Sequence, residues 1–214
     1  MAGVIIASAA LLPACASTGR ATSGGSTAPA PEDAAAYYPL IPGWKWAFQV
    51  ERGGESILAT YQVLDRVADT AVVQAAGEKL AYAVLPDGIA RRGPGESGRD
   101  YLLKNPIRAG ASWTVEGGQA RVTATGRKVT VPAGTFPDCA TVEESRADPQ
   151  RIVRTVYAAG VGPVQVEVQV HDAASGHFQT AMRAALLGVN RPGEDPLGPA
   201  EGRSVPPAVP PAQP

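Results

Sequence analysis

The sequence predicts an all-β domain, a strongly curved antiparallel sheet with little helix and an unstructured tail at each end. Three observations lead there. Apolar residues recur with a period of two, as in Trp44, Trp46, Phe48 and Val50, which alternate with Lys45, Ala47, Gln49 and Glu51. Short runs of this kind follow one another at roughly the 8–12-residue spacing of antiparallel sheets, with Gly and Pro turns between them. Both ends are instead built from Ser, Thr, Gly, Ala and Pro, a composition with too little apolar surface to offset the entropy of folding.

The folded part runs over residues 37–190. The strand beginning at Trp44 turns at Arg52-Gly53-Gly54-Glu55, and Ile57, Ala59, Tyr61 and Val63 resume the alternation, which makes a hairpin. Further strands are expected over residues 71–75, 79–85, 88–92, 112–116 and 119–125. Pro86-Asp87-Gly88 forms a turn, because Pro presets φ and Gly tolerates positive values. Residues 128–131 and 139–145 form two more strands, joined by a loop over residues 132–137. Residues 151–157 pair through Gly160-Val161-Gly162 with a run in which Val164, Val166, Val168 and Val170 alternate with Gln165, Glu167 and Gln169. The last segment, from His177 to about Val189, is less regular and is expected to end helically. Such alternation packs one face of the sheet and wets the other. A single curved sheet must then cover its apolar face by closing, by folding over, or by holding something.

One echo suggests a two-part layout. Pro39-Leu40-Ile41-Pro42-Gly43-Trp44-Lys45-Trp46 and Pro106-Ile107-Arg108-Ala109-Gly110-Ala111-Ser112-Trp113 share the pattern P-[LI]-x-x-G-x-x-W. In each, Pro stops one element, Gly turns the backbone and Trp opens a core-facing strand.

At the N-terminus, an apolar run from Val4 to Leu12 is followed by Pro13-Ala14-Cys15 and then by small polar residues. This is similar to a bacterial lipoprotein signal, in which the cysteine takes a lipid with acyl chains of the palmitate kind and becomes the first residue. It departs from the pattern in lacking a basic residue before the apolar run and in carrying Pro13. On this reading residues 1–14 are a signal peptide, Cys15 is the lipidation site and residues 15–36 are a flexible tether. Ala16 and Ser17 are unlike an inner-membrane retention signal, which implies the outer membrane, facing the periplasm. Residues 191–214 contain eight prolines and read as an extended, solvated tail.

The order of several motifs resembles a family of uncharacterised bacterial envelope lipoproteins. These are Gly43-x-x-Trp46, then Leu103-x-x-Pro106-Ile107 with Gly110-x-x-Trp113, then Val131-Pro132-Ala133-Gly134-Thr135-Phe136 with Cys139, then Tyr157 with Gly160-Val161-Gly162. The resemblance implies a sheet curled into an incomplete β-barrel, similar to the domains of periplasmic lipoprotein-carrier proteins. It brings no catalytic residues with it.

Composition excludes some functions. The net charge is −1, and 15 Arg and 4 Lys are scattered along the 214 residues, so no basic face forms for nucleic acid. No apolar run reaches the roughly 18 residues of a membrane-spanning helix, so membrane attachment rests on Cys15. Gly93-Pro94-Gly95-Glu96-Ser97-Gly98 fits G-x-G-x-x-G by letter but lacks the βαβ context of a dinucleotide site, and no cofactor is expected. Ser97 and Cys139 have no histidine that the sequence can assign to them, and Cys139 reads as a small buried hydrophobe. With Cys15 in the export signal, a disulfide between the two cysteines is disfavoured.

His171, Asp172 and His177 flank a hairpin turn where two imidazoles and a carboxylate could approach a metal ion, but spacing fixes no third strong ligand, and exposed hairpin shoulders are the favoured reading. Glu143 and Glu144 point to opposite faces of one strand, with a solvated edge favoured for both. Trp44, Trp46, Phe48, Tyr61 and Trp113 are the candidates to line an apolar pocket, against the alternative that they simply fill the core. The function expected is a membrane-anchored, non-catalytic binding or assembly module of the cell envelope, taking an apolar ligand or an envelope protein. The alternatives are a structural scaffold with a filled core, or a metal-dependent or hydrolytic enzyme.

Overall fold

A computed structural model describes residues 30–75, 77–92, 100–148 and 150–194. Twelve strands form one antiparallel sheet: β1 (Lys45–Arg52), β2 (Glu55–Val67), β3 (Thr70–Ala75), β4 (Glu78–Leu85), β5 (Gly88–Arg92), β6 (Asp100–Lys104), β7 (Ser112–Val115), β8 (Gly118–Val131), β9 (Gly134–Ala147), β10 (Gln150–Ala158), β11 (Gly162–Asp172) and β12 (His177–Asn190). Their order is β6-β5-β4-β3-β2-β1-β12-β11-β10-β9-β8-β7. Two six-strand meanders are therefore joined by the pairing of β1 with β12, and the sheet curls until β6 and β7 lie side by side without a backbone ladder. This is a nearly closed barrel with one unsealed seam.

The two sequence echoes occupy equivalent places at the start of each meander. Gly43 (φ 88°) and Gly110 (φ 90°) both adopt the left-handed conformation that Gly alone enters freely. The Gly43 amide donates to the Val63 carbonyl (2.8 Å), as Gly110 does to Val122 (2.8 Å). Trp44 N–H bonds back to Ile41 O, and Ala111 N–H to Arg108 O, each at 3.0 Å. Val63 N–H reaches Trp44 O (2.9 Å), and Val122 N–H reaches Ala111 O (2.8 Å). Leu40 and Ile107 are buried at matching positions. Each pattern ends in an indole that donates to a backbone carbonyl, Trp46 to Val161 O (2.7 Å) and Trp113 to Tyr101 O (2.9 Å). The echo is thus one local structure used twice.

The junctions between the meanders differ because their strands differ in length. β1 is laddered to β12 from Lys45 opposite Asn190 to Arg52 opposite Met182. β6 and β7 have five and four residues. Their seam is instead clipped by the Trp113–Tyr101 bond and by the Glu116 amide, which donates to Asp100 Oδ1 (3.1 Å).

One end of the barrel is plugged. The short helix α1 (Ala34–Tyr37) is capped by Asp33, whose side chain accepts from the Ala35 amide, and it tucks Ala34 and Tyr37 inside. Ile107 N–H donates to Glu32 O (2.7 Å) and Gly160 N–H to Ala36 O (2.7 Å). The folded chain therefore begins near Glu32, ahead of the boundary at residue 37 that composition suggested. Above the plug, Tyr38, Trp46, Phe48, Tyr157 and Trp113 form an aromatic layer, with Trp46 only 1% exposed. Burying one indole removes roughly 150–250 Å² from water, worth about 4–6 kcal/mol as an upper bound.

Several elements depart from expectation, and bulges explain most of them. Residues 119–131 form one strand, β8, because register shifts between Val122 and Val129, around Gly126 (φ 68°), break the alternation without ending the ladder. The loop expected over residues 132–137 shrinks to a turn at Pro132-Ala133, and Gly134–Ala147 is continuous strand. β12 stays extended to Asn190 and has no helical end; bulges opposite Ala47/Phe48 and Val168/Gln169 account for its irregular pattern. β6 was not anticipated. Cys15, the Gly93–Gly98 motif with Ser97, and residues 195–214 of the proline-rich tail lie outside the described residues.

Candidate functional site

The end of the barrel away from α1 is open. Both ends of the folded chain lie at the plugged end, where Lys45 pairs with Asn190. Among the described residues, the opposite end is formed by the turns that follow β1, β7 and β11 and by the C-terminal ends of β3, β5 and β9. There the lumen widens into a cleft of about 840 Å³, bordered by Leu80, Tyr82, Arg91, Asp100, Glu144 and Arg151 among others. Its size lies within the roughly 300–1,000 Å³ of small-molecule sites.

Tyr82 borders the cleft and is backed by two buried tyrosines. Tyr38 packs edge-on against Tyr82 at 5.8 Å and lies 6.2 Å from the Tyr157 ring. Burial pushes all three phenols above their ordinary pKa, so they stay protonated and act as hydrogen-bonding groups without charge.

One wall is a closed ring of four charges. Arg91 Nη1 meets Asp100 Oδ2 at 2.9 Å, and Arg91 Nη2 meets Glu144 Oε2 at 3.1 Å. Arg146 Nε meets Glu144 Oε1 at 2.6 Å, and Arg146 Nη2 meets Asp100 Oδ2 at 3.5 Å. Each charge touches both opposite charges, and β5, β6 and β9 are tied together inside the barrel. Burial alone would lower the Arg91 pKa, but Glu144 and then Asp100 outweigh it and raise it. Burial would likewise raise the Asp100 pKa, yet the bonds from Arg91 and the Glu116 amide hold it below the usual 3.8. Glu144 is 7% exposed and faces the lumen, which corrects the expectation of a solvated edge. Its neighbour Glu143 points outward as expected and pairs with Arg154 at 2.7 Å.

Apolar side chains adjoin this ring, with Val153 the ladder partner of Glu144. Leu80, Val153 and Val168 border the same cleft, and Val153 and Val168 are cross-strand partners. At the rim, Arg151 on β10 lies opposite Arg146 on β9 and Val170 on β11. The Arg151 Nε is buried without a hydrogen-bond partner, and among the described residues Arg151 makes no ion pair. Like charges directly across a strand pair are destabilising, so this arginine is held at a cost to the fold.

The aromatic candidates sit elsewhere. Trp44, Trp46, Phe48 and Trp113 are buried, and Tyr61 packs edge-on against Phe48 at 5.6 Å. Trp44 and Trp46 lie 6.2 Å apart, and Arg191 covers the Trp44 ring at 5.8 Å. Trp46 and Tyr61 also border a separate cleft of about 520 Å³ against β1, β2 and β12.

The histidines are not brought together. His171 is paired with Phe178 and Asp172 with His177, so alternation places His171 and His177 on opposite faces of the hairpin. His171 packs edge-on against Phe178 at 5.5 Å. The Asp172 carboxylate accepts from Ala174 N–H (2.9 Å), the Ser175 hydroxyl (2.8 Å) and Gln179 Nε2 (2.7 Å), and the bonds from Ala174 and Ser175 lower its pKa. Cys139 is fully buried, with its thiol pKa raised by burial.

The mouth residues Arg91, Asp100, Arg146, Arg151 and Tyr82 were not anticipated from sequence. A signal was present. Glu144 and Arg146 keep phase with Ala140 and Val142, Arg91 with Ile89, and Arg151 with Val153, so charges stand where the alternation calls for inward apolar residues.

No family model matches this chain, and no curated protein matches it. Solved structures similar to this chain include the following two. One, from Bacteroides fragilis NCTC 9343, is provisionally described as an exported protein with a YmcC-like fold; it is 12% identical with a TM-score of 0.42, over 72% of this chain and 99% of that one. The other, from Parabacteroides distasonis ATCC 8503, is provisionally described as a lipoprotein; it is 13% identical with a TM-score of 0.39, over 72% of this chain and 98% of that one. Likenesses this distant assign no activity, ligand or partner to this chain.

Proposed function

We propose that this chain is a lipid-anchored protein of the cell envelope, held through Cys15 to the outer membrane on its periplasmic side, whose barrel is a non-catalytic binding module. The open cleft of about 840 Å³ above a plugged, aromatic-filled lower lumen supports this reading. Its make-up, apolar side chains beside a few convergent polar groups, is that of a small-molecule site. The charged wall has its acids and bases committed to one another, which favours holding a ligand over turning it over. The experiment is native mass spectrometry of the full chain purified from envelope membranes. A bound small amphiphile is expected, lost in a Val153→Trp variant that fills the cleft. A clean unliganded mass from the unmodified chain overturns the reading. For the anchor, Cys15→Ser is expected to leave an unlipidated protein outside the membrane fraction; a variant that still sediments with membranes overturns it.

A further inference from the structure

We propose that Arg151 is the receptor for the anionic group, carboxylate or phosphate, of an amphiphile whose apolar chain lies along Leu80, Val153 and Val168. The proposal rests on the reading of the mouth as a binding site and adds the ligand's chemistry. Its starting point is an imbalance. The four charges of the inner ring cancel, two against two, and each is bonded to both of its opposites. Arg92, also at the rim, is paired with Asp69 at 2.9 Å. Arg151 borders the same cleft with no carboxylate on it among the described residues.

Its surroundings make the imbalance costly. The Nε is shielded from water and makes no hydrogen bond. The residue across the ladder on one side is Arg146, a second cation, and on the other Val170, which accepts nothing through its side chain. A buried N–H without an acceptor is destabilising, and this one belongs to a partly exposed side chain that borders the cleft, where a ligand can reach its guanidinium. An anion at the rim would accept from Arg151 and relieve its repulsion with Arg146. A guanidinium offers a planar fork that suits carboxylate and phosphate equally.

The apolar part of the ligand follows from what lies beside that fork. Val153 shares the inward phase of Arg151, Val168 is its ladder partner, and Leu80 borders the same cleft while remaining 38% exposed. A chain entering along these side chains would cover Leu80.

The test is isothermal titration of the full chain with decanoate, decyl phosphate, decanol and inorganic phosphate. Decanoate or decyl phosphate is expected to bind at least about tenfold more tightly than decanol, the equivalent of one charge-assisted hydrogen bond. Arg151→Met is expected to bring the anions down to the affinity of decanol, to leave decanol unchanged, and to melt no lower than the parent. Arg151→Lys is expected to fall between. Preference between decanoate and decyl phosphate tells which head group the fork takes, and either supports the proposal. Equal binding of decanoate, decyl phosphate and decanol by the unmodified chain, or anion affinity unchanged in Arg151→Met, overturns it while leaving the cleft as a binding site. Inorganic phosphate binding as tightly as decyl phosphate overturns the apolar half. Failure of every amphiphile, with a clean unliganded mass, removes the cleft reading itself.

Discussion

Changing Glu144 to Gln tests whether the ring of charges inside the barrel holds the fold together. The substitution keeps the shape of the side chain and removes its charge. Arg146 Nε at 2.6 Å and Arg91 Nη2 at 3.1 Å then face a neutral amide and share Asp100 as their remaining acid. Stripping one partner from a buried pair costs about 3–5 kcal/mol. That figure is reduced here because the Arg91 side chain is 34% exposed and can turn to water, although Arg146 is 15% exposed and cannot do so readily. The expected loss is about 2–3 kcal/mol, or roughly a 1 M fall in the urea midpoint. Glu143→Gln is the control, since it cuts an ion pair one residue away on the outer face. Glu143 and Arg154 are 33% and 41% exposed, so that pair is worth at most about 1 kcal/mol. The assay is urea unfolding at neutral pH followed by tryptophan fluorescence. Equal midpoint shifts for the two variants would refute the claim that the inner ring differs energetically from surface pairing. A Glu144→Gln, Arg146→Met double variant should recover part of the loss, because the stranded cation is removed with its partner.

Other predictions follow from the seam, the plug and the titrating groups. Trp113→Phe removes the indole clip to Tyr101 O, so amides of β6 should exchange with deuterium faster, whereas Trp46→Phe should leave β1 protected by its ladder to β12; equal behaviour of the two would contradict the seam. Gly162→Ala places a Cβ 2.9 Å from Trp46 Nε1 at a backbone φ of 110°, and it should cost about 2–4 kcal/mol by displacing the indole from Val161 O, read as a melting point lowered by roughly 10 °C. Gly160→Ala, with nothing within 4 Å of its Cβ, should lose no more than the roughly 1 kcal/mol of a positive φ, and a loss as large as that of Gly162→Ala would refute the clash. Asp100 has its pKa held below the usual 3.8, so its contribution is fully present above that value and is lost as pH falls through the lowered pKa. Asp100→Asn should therefore flatten the acid limb of stability against pH below about 4, and an unchanged slope would refute the assignment.

The fold class was legible because burial on one face writes itself into alternation. Trp46, Phe48 and Val50 point inward in phase, and so do Ile89 and Leu103 on shorter strands. What the sequence concealed has two physical sources. Bulges shift the phase of β8, β9 and β12 without ending their ladders, so a continuous strand such as Gly118–Val131 reads as two. Closure is also a long-range property: nothing local to Asp100 shows that Arg91, Glu144 and Arg146 will converge on it from two other strands. The same cause hid the mouth. An inward Arg151 next to Val153 in phase was visible as an exception to the alternation, but exposed hairpin tips carry arginine routinely, and only the curled sheet distinguishes a lumen from an outer face.

Both copies of P-[LI]-x-x-G-x-x-W sit where a meander begins, and each buries a Leu or Ile and an indole that donates to a backbone carbonyl. Among the described residues, the cleft at the opposite end is bordered instead by Leu80, Arg91, Glu144, Arg146 and Arg151. The plugged end is also where the chain enters the fold near Glu32 and leaves it after Asn190. With Cys15 as the anchor proposed above, the mouth points away from the attachment side of the barrel. Fifteen residues from Cys15 to Ala30 reach at most about 50 Å when fully extended, enough to lift the barrel clear of the lipid surface. On that reading the mouth faces the aqueous side, and an amphiphile seated with its chain along Val153 and Val168 leaves its charged group at the rim beside Arg151.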